Sequence, residues 1–96
     1  MKIVFTAAGR RDLDDILSYL TENNPTLVEP VSQRIQATLA VLSQWPQSAR
    51  SVAQRAGVRV ASLIHHPYQI FYRVDRGVIE IIHIRHTSRH PWTEDS

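Results

Sequence analysis

Histidine and arginine side chains are concentrated near the end of the chain, in the run VIEIIHIRHTSRHPW of residues 78–92. His83 and His86 belong to the residue type that exchanges protons near neutral pH. Arg85 and Arg89 can pair with phosphate or carboxylate oxygens through two parallel hydrogen bonds. These residue types are compatible with a metal site, with a site for phosphate or nucleic acid, or with a solvated strand end that has no function.

A metal site is disfavoured by the spacing of the histidines. His83 and His86 are three residues apart, and an odd spacing on a strand directs two side chains to opposite faces. His65 and His66 fail for the same reason, and the sequence contains no cysteine. We therefore expect neither a metal ion nor a cofactor.

Phosphate chemistry is a second hypothesis for the same run. Cleavage of RNA by its own 2′-hydroxyl requires a base, an acid and a cation that stabilises the extra charge on the phosphate. Strict alternation assigns two faces to the last strand, one with Ile79, Ile81, His83 and Arg85, the other with Glu80, Ile82, Ile84 and His86. The preceding strand would add Arg73 to the open face, and Arg59 is possible from the strand before it. The catalytic residues of such a nuclease would be His83, Arg85, His86 and Arg89.

A docking surface on the same open face is the competing hypothesis, and we favour it over catalysis. A hydrophobic segment of a partner would cover Phe71 and Ile81 at the centre of this face. Trp92 follows the last strand beyond a proline, and an exposed tryptophan often anchors an interface. The predicted binding residues are Arg59, Phe71, Arg73, Ile81, His83, Arg85, His86, Arg89 and Trp92.

Hydrophobic periodicity predicts the elements that must position these residues. Residues 2–6 form a first strand, and Thr6 caps a helix that ends near residue 22. A second helix either kinks at Pro30 or begins there, and we predict the kinked helix over about 25–44. Three strands follow at 58–64, 68–74 and 78–85, the last two joined by a tight turn containing Gly77.

The predicted fold is α+β, in the order β-α-α-β-β-β, with a helical hairpin packed on one face of a small, mostly antiparallel sheet. Residues 1–96 are expected to form one domain, with a flexible tail from about residue 91 to residue 96. The predicted core contains Leu13, Ile16, Leu20, Val31, Ile35, Leu39, Leu42, Ile70, Tyr72, Ile82 and Ile84.

Charge is divided unequally along the chain. Residues 1–49 carry four Lys or Arg and five acidic residues, a net −1, whereas residues 50–90 carry seven Arg and two acidic residues, a net +5. A basic half indicates an anionic partner, either nucleic acid or an acidic protein. The lack of cysteine is expected of a cytoplasmic protein, and no apolar run approaches the roughly 20 residues that span a membrane.

The order of the elements, together with residues at particular positions, resembles the RelE/ParE toxin superfamily. The first helix is similar at Ala8, Asp12, Leu13, Ile16 and Tyr19, and the closing strands at Gly57, Arg59, YQIFYRV and VIEIIHIRHTSR. His86 and Arg89 match the terminal H-x-x-R of the family. The resemblance covers nearly the whole chain. It implies a toxin of a type II toxin–antitoxin module, neutralised by a ParD-like or other short antitoxin that wraps a peptide around it.

Within the superfamily, the resemblance implies one of two activities. RelE-like members cleave mRNA on the ribosome with a basic cluster that commonly includes lysine, whereas ParE-like members poison DNA gyrase without catalysis. This chain has no lysine after Lys2 and no tyrosine after the last predicted strand, so it is closer to ParE. We favour a gyrase-poisoning toxin that is not an enzyme. The alternatives are a RelE-like endoribonuclease and a non-catalytic nucleic-acid-binding module.

Overall fold

A computed structural model describes residues 1–88 of the chain. Arg89, Trp92 and the predicted tail lie outside the described residues. The elements are β1 (Lys2–Phe5), α1 (Ala7–Asn23), a short 3₁₀ turn (Pro25–Leu27), α2 (Val28–Gln44), β2 (Arg50–Ser51), β3 (Val58–Ser62), β4 (Tyr68–Asp75) and β5 (Val78–His86).

The strands form one sheet in the order β1-β5-β4-β3-β2. β1 pairs with β5 in parallel, and the other three pairings are antiparallel. Both helices pack against this mixed sheet, which confirms the predicted α+β fold and the order of its major elements. The two-residue strand β2 was not predicted, because it is too short to produce a periodic pattern.

The predicted helical segment over 25–44 is present, but it is divided into a 3₁₀ turn and an α-helix, and Pro30 lies within the first turn of α2. The chain forms a 3₁₀ turn from Pro25 and then starts a separate α-helix at Val28. The first N–H groups of any helix have no partner inside the helix. A proline at this position therefore removes no hydrogen bond from α2.

A bulge in β5 overturns the strict alternation predicted for that strand. Tyr72 pairs with Ile81 but Phe71 pairs with His83, so Ile82 is an extra residue in β5. A bulge of this kind shifts every later side chain to the opposite face. The residues of β5 that are buried against the helices are consequently Ile79, Ile81 and Ile84.

The main core lies between the helices and the sheet. Its fully buried members include Val31 and Leu42 from α2 and Ile70 and Tyr72 from β4. Every predicted core residue either belongs to this cluster or packs against it, with the exception of Ile82. Ile82 lies in a second cluster on the other face, with Val52, Val58, Val60 and Phe71. No helix among residues 1–88 is long and apolar enough to cross a membrane.

Candidate functional site

The site begins where β1 ends and α1 takes its place along β5. Phe5 is the last residue of β1 and pairs with Ile81. The Thr6 amide donates to the Ile81 carbonyl over 3.0 Å, and the Thr6 hydroxyl lies 3.0 Å from that oxygen and 3.3 Å from the Ile82 carbonyl oxygen. Thr6 also caps α1, as predicted, because its Oγ1 accepts from the Gly9 amide at 3.0 Å.

Gly9 allows α1 to approach the bulge this closely. A Cβ atom at Gly9 would overlap the Ile81 carbonyl oxygen, which belongs to the backbone and cannot rotate away. The first turn of α1 is therefore held directly on β5, and the next turn brings an acidic residue to the basic end of that strand.

This acidic residue is Asp12, and its carboxylate contacts three groups at this end of β5. Its Oδ2 atom accepts a hydrogen bond from the Ile84 amide at 3.0 Å and lies 2.9 Å from Nδ1 of His83. The same oxygen is 3.6 Å from Nε of Arg85. Asp12 thus caps a backbone donor at the sheet edge and balances the charge of Arg85.

The Asp12 contact also orients the His83 ring. An ionised carboxylate only accepts hydrogen bonds, so Nδ1 of His83 carries the hydrogen in this contact. The side chains of Asp12 and His83 are only 13% and 17% exposed, so little water competes with the pair. Arg85 Nη2 is 3.3 Å from the same Nδ1, and the attraction between Arg85 and Asp12 explains this closeness. A carboxylate and an imidazole arranged in this way can serve as a general base.

His86 lies on the other face of β5 from His83. His86 pairs with Tyr68, which belongs to the core under the helices, whereas His83 pairs with Phe71 on the opposite face. The His86 ring meets the Tyr68 ring edge-on, at 5.4 Å and 89°. Its Nδ1 accepts from the Ser88 amide at 3.1 Å.

A cavity of about 350 Å³ lies beside His86, between α1 and the ends of β4 and β5. Its lining mixes acidic, basic and aromatic groups: Asp12, Asp15, Ile16, Tyr19, Tyr68, Ile84, Arg85 and His86. Within residues 1–88, no group of three or more His, Cys, Asp or Glu side chains is placed to hold a metal ion.

Arg59 does not lie on the open face, contrary to the prediction. It pairs with Tyr72, whose side chain is buried under the helices, and its Nη1 donates to the Ala49 carbonyl at 2.6 Å. Tyr72 donates to the Pro46 carbonyl at 2.8 Å, and burial raises the pKa of its hydroxyl. Arg59 and Tyr72 therefore fasten the segment after α2 to the sheet.

Arg73 lies on the open face as predicted, but an acidic neighbour holds it. Its Nε donates to Glu80 Oε1 at 2.7 Å, and this hydrogen bond raises the pKa of Arg73. The predicted centre of the docking surface was wrong, because Ile81 is fully buried under the helices and Phe71 is only 5% exposed. Phe71 packs with Val58 and Val60 instead of presenting an apolar surface.

Comparison with known proteins shows which protein family this chain resembles. A family model described as "ParE toxin of type II toxin-antitoxin system, parDE" matches residues 3–91. The toxin RelE2 of Caulobacter vibrioides is 27% identical over 88 residues, which are 92% of this chain and 97% of that protein.

Two solved structures share the fold. The chromosomal ParDE toxin–antitoxin system from P. aeruginosa contains a chain with a TM-score of 0.76 and 27% identity, and the match covers 92% of this chain and 97% of that one. The RelBE2 toxin–antitoxin complex from Mycobacterium tuberculosis gives a TM-score of 0.57 at 22% identity, with 88% and 95% covered. At that identity, the second likeness concerns the fold alone.

Proposed function

This chain belongs to the ParE toxin family of type II toxin–antitoxin systems, and we propose that it poisons DNA gyrase by contact rather than by catalysis. It is a toxin of the RelE/ParE superfamily, and its likeness to a chain of the ParDE toxin–antitoxin system from P. aeruginosa supports a cognate antitoxin as its partner. DNA gyrase as the target is a more specific proposal than membership of the family, and it depends on how the basic groups are distributed.

The observation that carries the proposal is the separation of His83 and His86 across β5. A nuclease needs its base and its acid on either side of one phosphodiester, each within hydrogen-bond reach of the reacting atoms. His83 and His86 point to opposite faces, because they pair with Phe71 and Tyr68, whose side chains belong to opposite clusters. Such a pair cannot act together on one phosphate.

The arginines support the same proposal. Arg59 is used by the segment after α2, and Arg73 is paired with Glu80. These two arginines therefore make structural contacts within the protein, and they do not form one site with His83. A surface that offers separate basic groups favours binding over a concentrated catalytic centre.

A RelE-like endoribonuclease is the second candidate, favoured by one specific contact. The 2.9 Å contact between Asp12 and His83 orients an imidazole beside Arg85, which would supply one base and one cation. The contacts of His83 and Arg85 assign no general acid, so the nuclease hypothesis would require one from the groups that line the cavity beside Arg85, from outside residues 1–88 or from the ribosome.

Substitution of His86 and Arg89 separates the two functions. His86→Gln keeps a hydrogen-bonding side chain but abolishes proton transfer, and a general acid or base typically contributes about 10²–10⁴-fold. We expect cells expressing His86→Gln to show filamentation and a DNA-damage response, as with the wild type. Arg89→Glu should lose toxicity, because the charge reversal would repel an acidic group on the target. His83→Gln tests the dyad in the same assay, and its toxicity should also persist.

Antitoxin binding by each variant is the control that reports a folded protein. If His86→Gln or His83→Gln abolishes toxicity while antitoxin binding persists, and if the wild type arrests translation and cuts mRNA, the contact mechanism is wrong. The endoribonuclease would then take its place.

A further inference from the structure

The cavity of about 350 Å³ between α1 and the ends of β4 and β5 combines three kinds of side chain. Arg85 of β5 contributes a guanidinium, and Asp15 of α1 contributes a carboxylate. The rings of Tyr19, Tyr68 and His86 also line it. Rings beside both a donor and an acceptor are suited to a flat ligand that carries hydrogen-bonding groups on its edge.

Arg85 has hydrogen-bond donors that the described residues leave without an acceptor. Its Nε is buried and makes no hydrogen bond within residues 1–88, since Asp12 Oδ2 lies 3.6 Å away. Its Nη2 is 3.3 Å from Nδ1 of His83, and that nitrogen carries its own hydrogen toward Asp12. A guanidinium has five N–H donors in one plane. A ligand with two adjacent acceptors would satisfy the outer donors of Arg85.

Asp15 is an acceptor that the fold does not use. Its side chain is exposed, and it makes no hydrogen bond or ion pair with another residue in the described part of the chain. Asp14, one residue earlier, is paired with Arg10 instead. An ionised carboxylate can accept two parallel hydrogen bonds. The matching group of a ligand is therefore a pair of adjacent N–H donors.

The charge of the lining disfavours an anionic ligand. Asp12 and Asp15 contribute two negative charges, and Arg85 contributes one positive charge. Nδ1 of His86 accepts from the Ser88 amide, so the ring is neutral in this arrangement. The net charge of −1 repels a phosphate or a lone carboxylate, whereas a simple cation would leave the donors of Arg85 without an acceptor. A neutral ligand with both donors and acceptors satisfies both walls.

We propose that this cavity binds a guanine base. The N1–H and N2–H groups of guanine donate to Asp15, and its O6 and N7 atoms accept from Arg85, which is the pairing that arginine makes with guanine in nucleic acids. The flat base lies among the rings of Tyr19, Tyr68 and His86, since every base can pack against an aromatic side chain. Adenine fits less well, because its amino group would oppose the donors of Arg85. The base belongs either to a free nucleoside or to an unpaired position of a strand, and the site does not depend on gyrase as the target.

Titration of guanosine into the purified full-length chain, followed by NMR, tests the cavity. The backbone amide signals of Ile16 and Ile84, which line it, should shift and reach saturation. Guanosine should bind about tenfold or more tightly than adenosine, because only guanine presents two donors to the carboxylate and two acceptors to the guanidinium.

A single-stranded oligothymidine that contains one guanine identifies the source of the base. If it shifts the same amides and binds more tightly than guanosine, the base belongs to a strand. If it binds no more tightly than guanosine, a free nucleoside is the ligand. The proposed contacts of the base are the same in both cases.

Two variants test the two walls of the cavity. Asp15→Ala should weaken guanosine binding by about tenfold or more, whereas the matched control Asp14→Ala should bind like the wild type, because Asp14 is exposed and does not line the cavity. Arg85→Lys keeps a positive charge beside Asp12 but removes the planar fork of donors. It should therefore reduce the preference for guanosine over adenosine.

Three results would overturn the proposal. Adenosine might bind as tightly as guanosine, or Asp15→Ala might bind guanosine as tightly as Asp14→Ala does. Argininamide might instead saturate the same amide shifts at a lower concentration than guanosine, which would show that the cavity recognises a cation. None of these measurements includes gyrase, so their failure would leave the proposed target unaffected.

Discussion

The carboxylate of Asp12 joins α1 to the edge of β5 through the Ile84 amide, the His83 imidazole and the Arg85 guanidinium. Removing one partner of such a part-buried network leaves the other groups without compensation, and this penalty exceeds the loss of an exposed ion pair. The same molecule offers an exposed pair for comparison, between Arg10 and Asp14 at 3.5 Å, whose side chains are 66% and 60% exposed.

Asp12→Asn isolates the charge of this contact. Asparagine can still accept hydrogen bonds from the Ile84 amide and from His83 Nδ1 through its oxygen, but it carries no charge to attract the Arg85 guanidinium or to strengthen these hydrogen bonds. We expect the free energy of unfolding to fall by about 1–3 kcal/mol. The matched variant Asp14→Asn should cost no more than about 0.5 kcal/mol, because solvent screens that pair. Urea denaturation of both variants measures the difference, and equal losses would show that Asp12 does not organise the site.

At the scale of elements, the bulge in β5 decides which side chains reach the core. Ile79 and Ile81 point to the helices before the bulge, and Ile84 does so after it. The extra residue, Ile82, packs with Phe71 in the smaller cluster on the other face. The bulge also presents the carbonyls of Ile81 and Ile82 to Thr6, so it connects the core to the start of α1.

Truncation of the two adjacent isoleucines tests this assignment. Ile81→Ala should destabilise the protein by about 2–5 kcal/mol, because it opens a cavity in a fully buried position. Ile82→Ala should cost no more than about 2 kcal/mol, since that side chain is only partly buried. Thermal or chemical unfolding of the two variants measures which of them loses more stability. The reverse order would support the uninterrupted alternation predicted from sequence and would contradict the bulge.

At the scale of the whole molecule, the unequal division of charge along the chain bears on the partner. We expect the net +5 of residues 50–90 to attract an acidic segment of the antitoxin over distances longer than any single contact, although Arg73 is paired with Glu80 and Arg59 with the segment after α2. Electrostatic attraction of this kind speeds the encounter, while the contacts buried in the complex set how slowly it dissociates.

The association rate with the antitoxin should therefore depend on salt. We expect it to fall by about tenfold or more between low and high ionic strength, because added ions screen charges beyond roughly 10 Å. The dissociation rate should change much less, since it reflects the buried contacts. Stopped-flow or surface-binding kinetics give both rates. An association rate that does not change with salt would contradict the electrostatic part of the partner assignment.

Local features of this protein were determined by the sequence alone. Thr6 caps α1, apolar periodicity identifies both helices and four of the five strands, and the turn before β5 contains Gly77 with a positive φ of 76°. Each of these depends on residues within a turn or two of one another, so a short window contains the whole cause. A signal for the bulge was also present, because Ile81 and Ile82 are adjacent and Ile84 follows at an odd spacing.

Only the tertiary structure decided the geometry of the site. Asp12 and His83 are separated by 71 positions, and although Asp12 is one of the positions that carry the family resemblance, nothing in the sequence indicates that it contacts His83. The single extra residue in β5 moved Ile81 into the core, and the pairing of Arg59 with Tyr72 directed that arginine away from the open face. Side-chain direction in a sheet reverses with each residue of register. Register is set by contacts between distant strands, so these positions could be found only after the whole chain had packed.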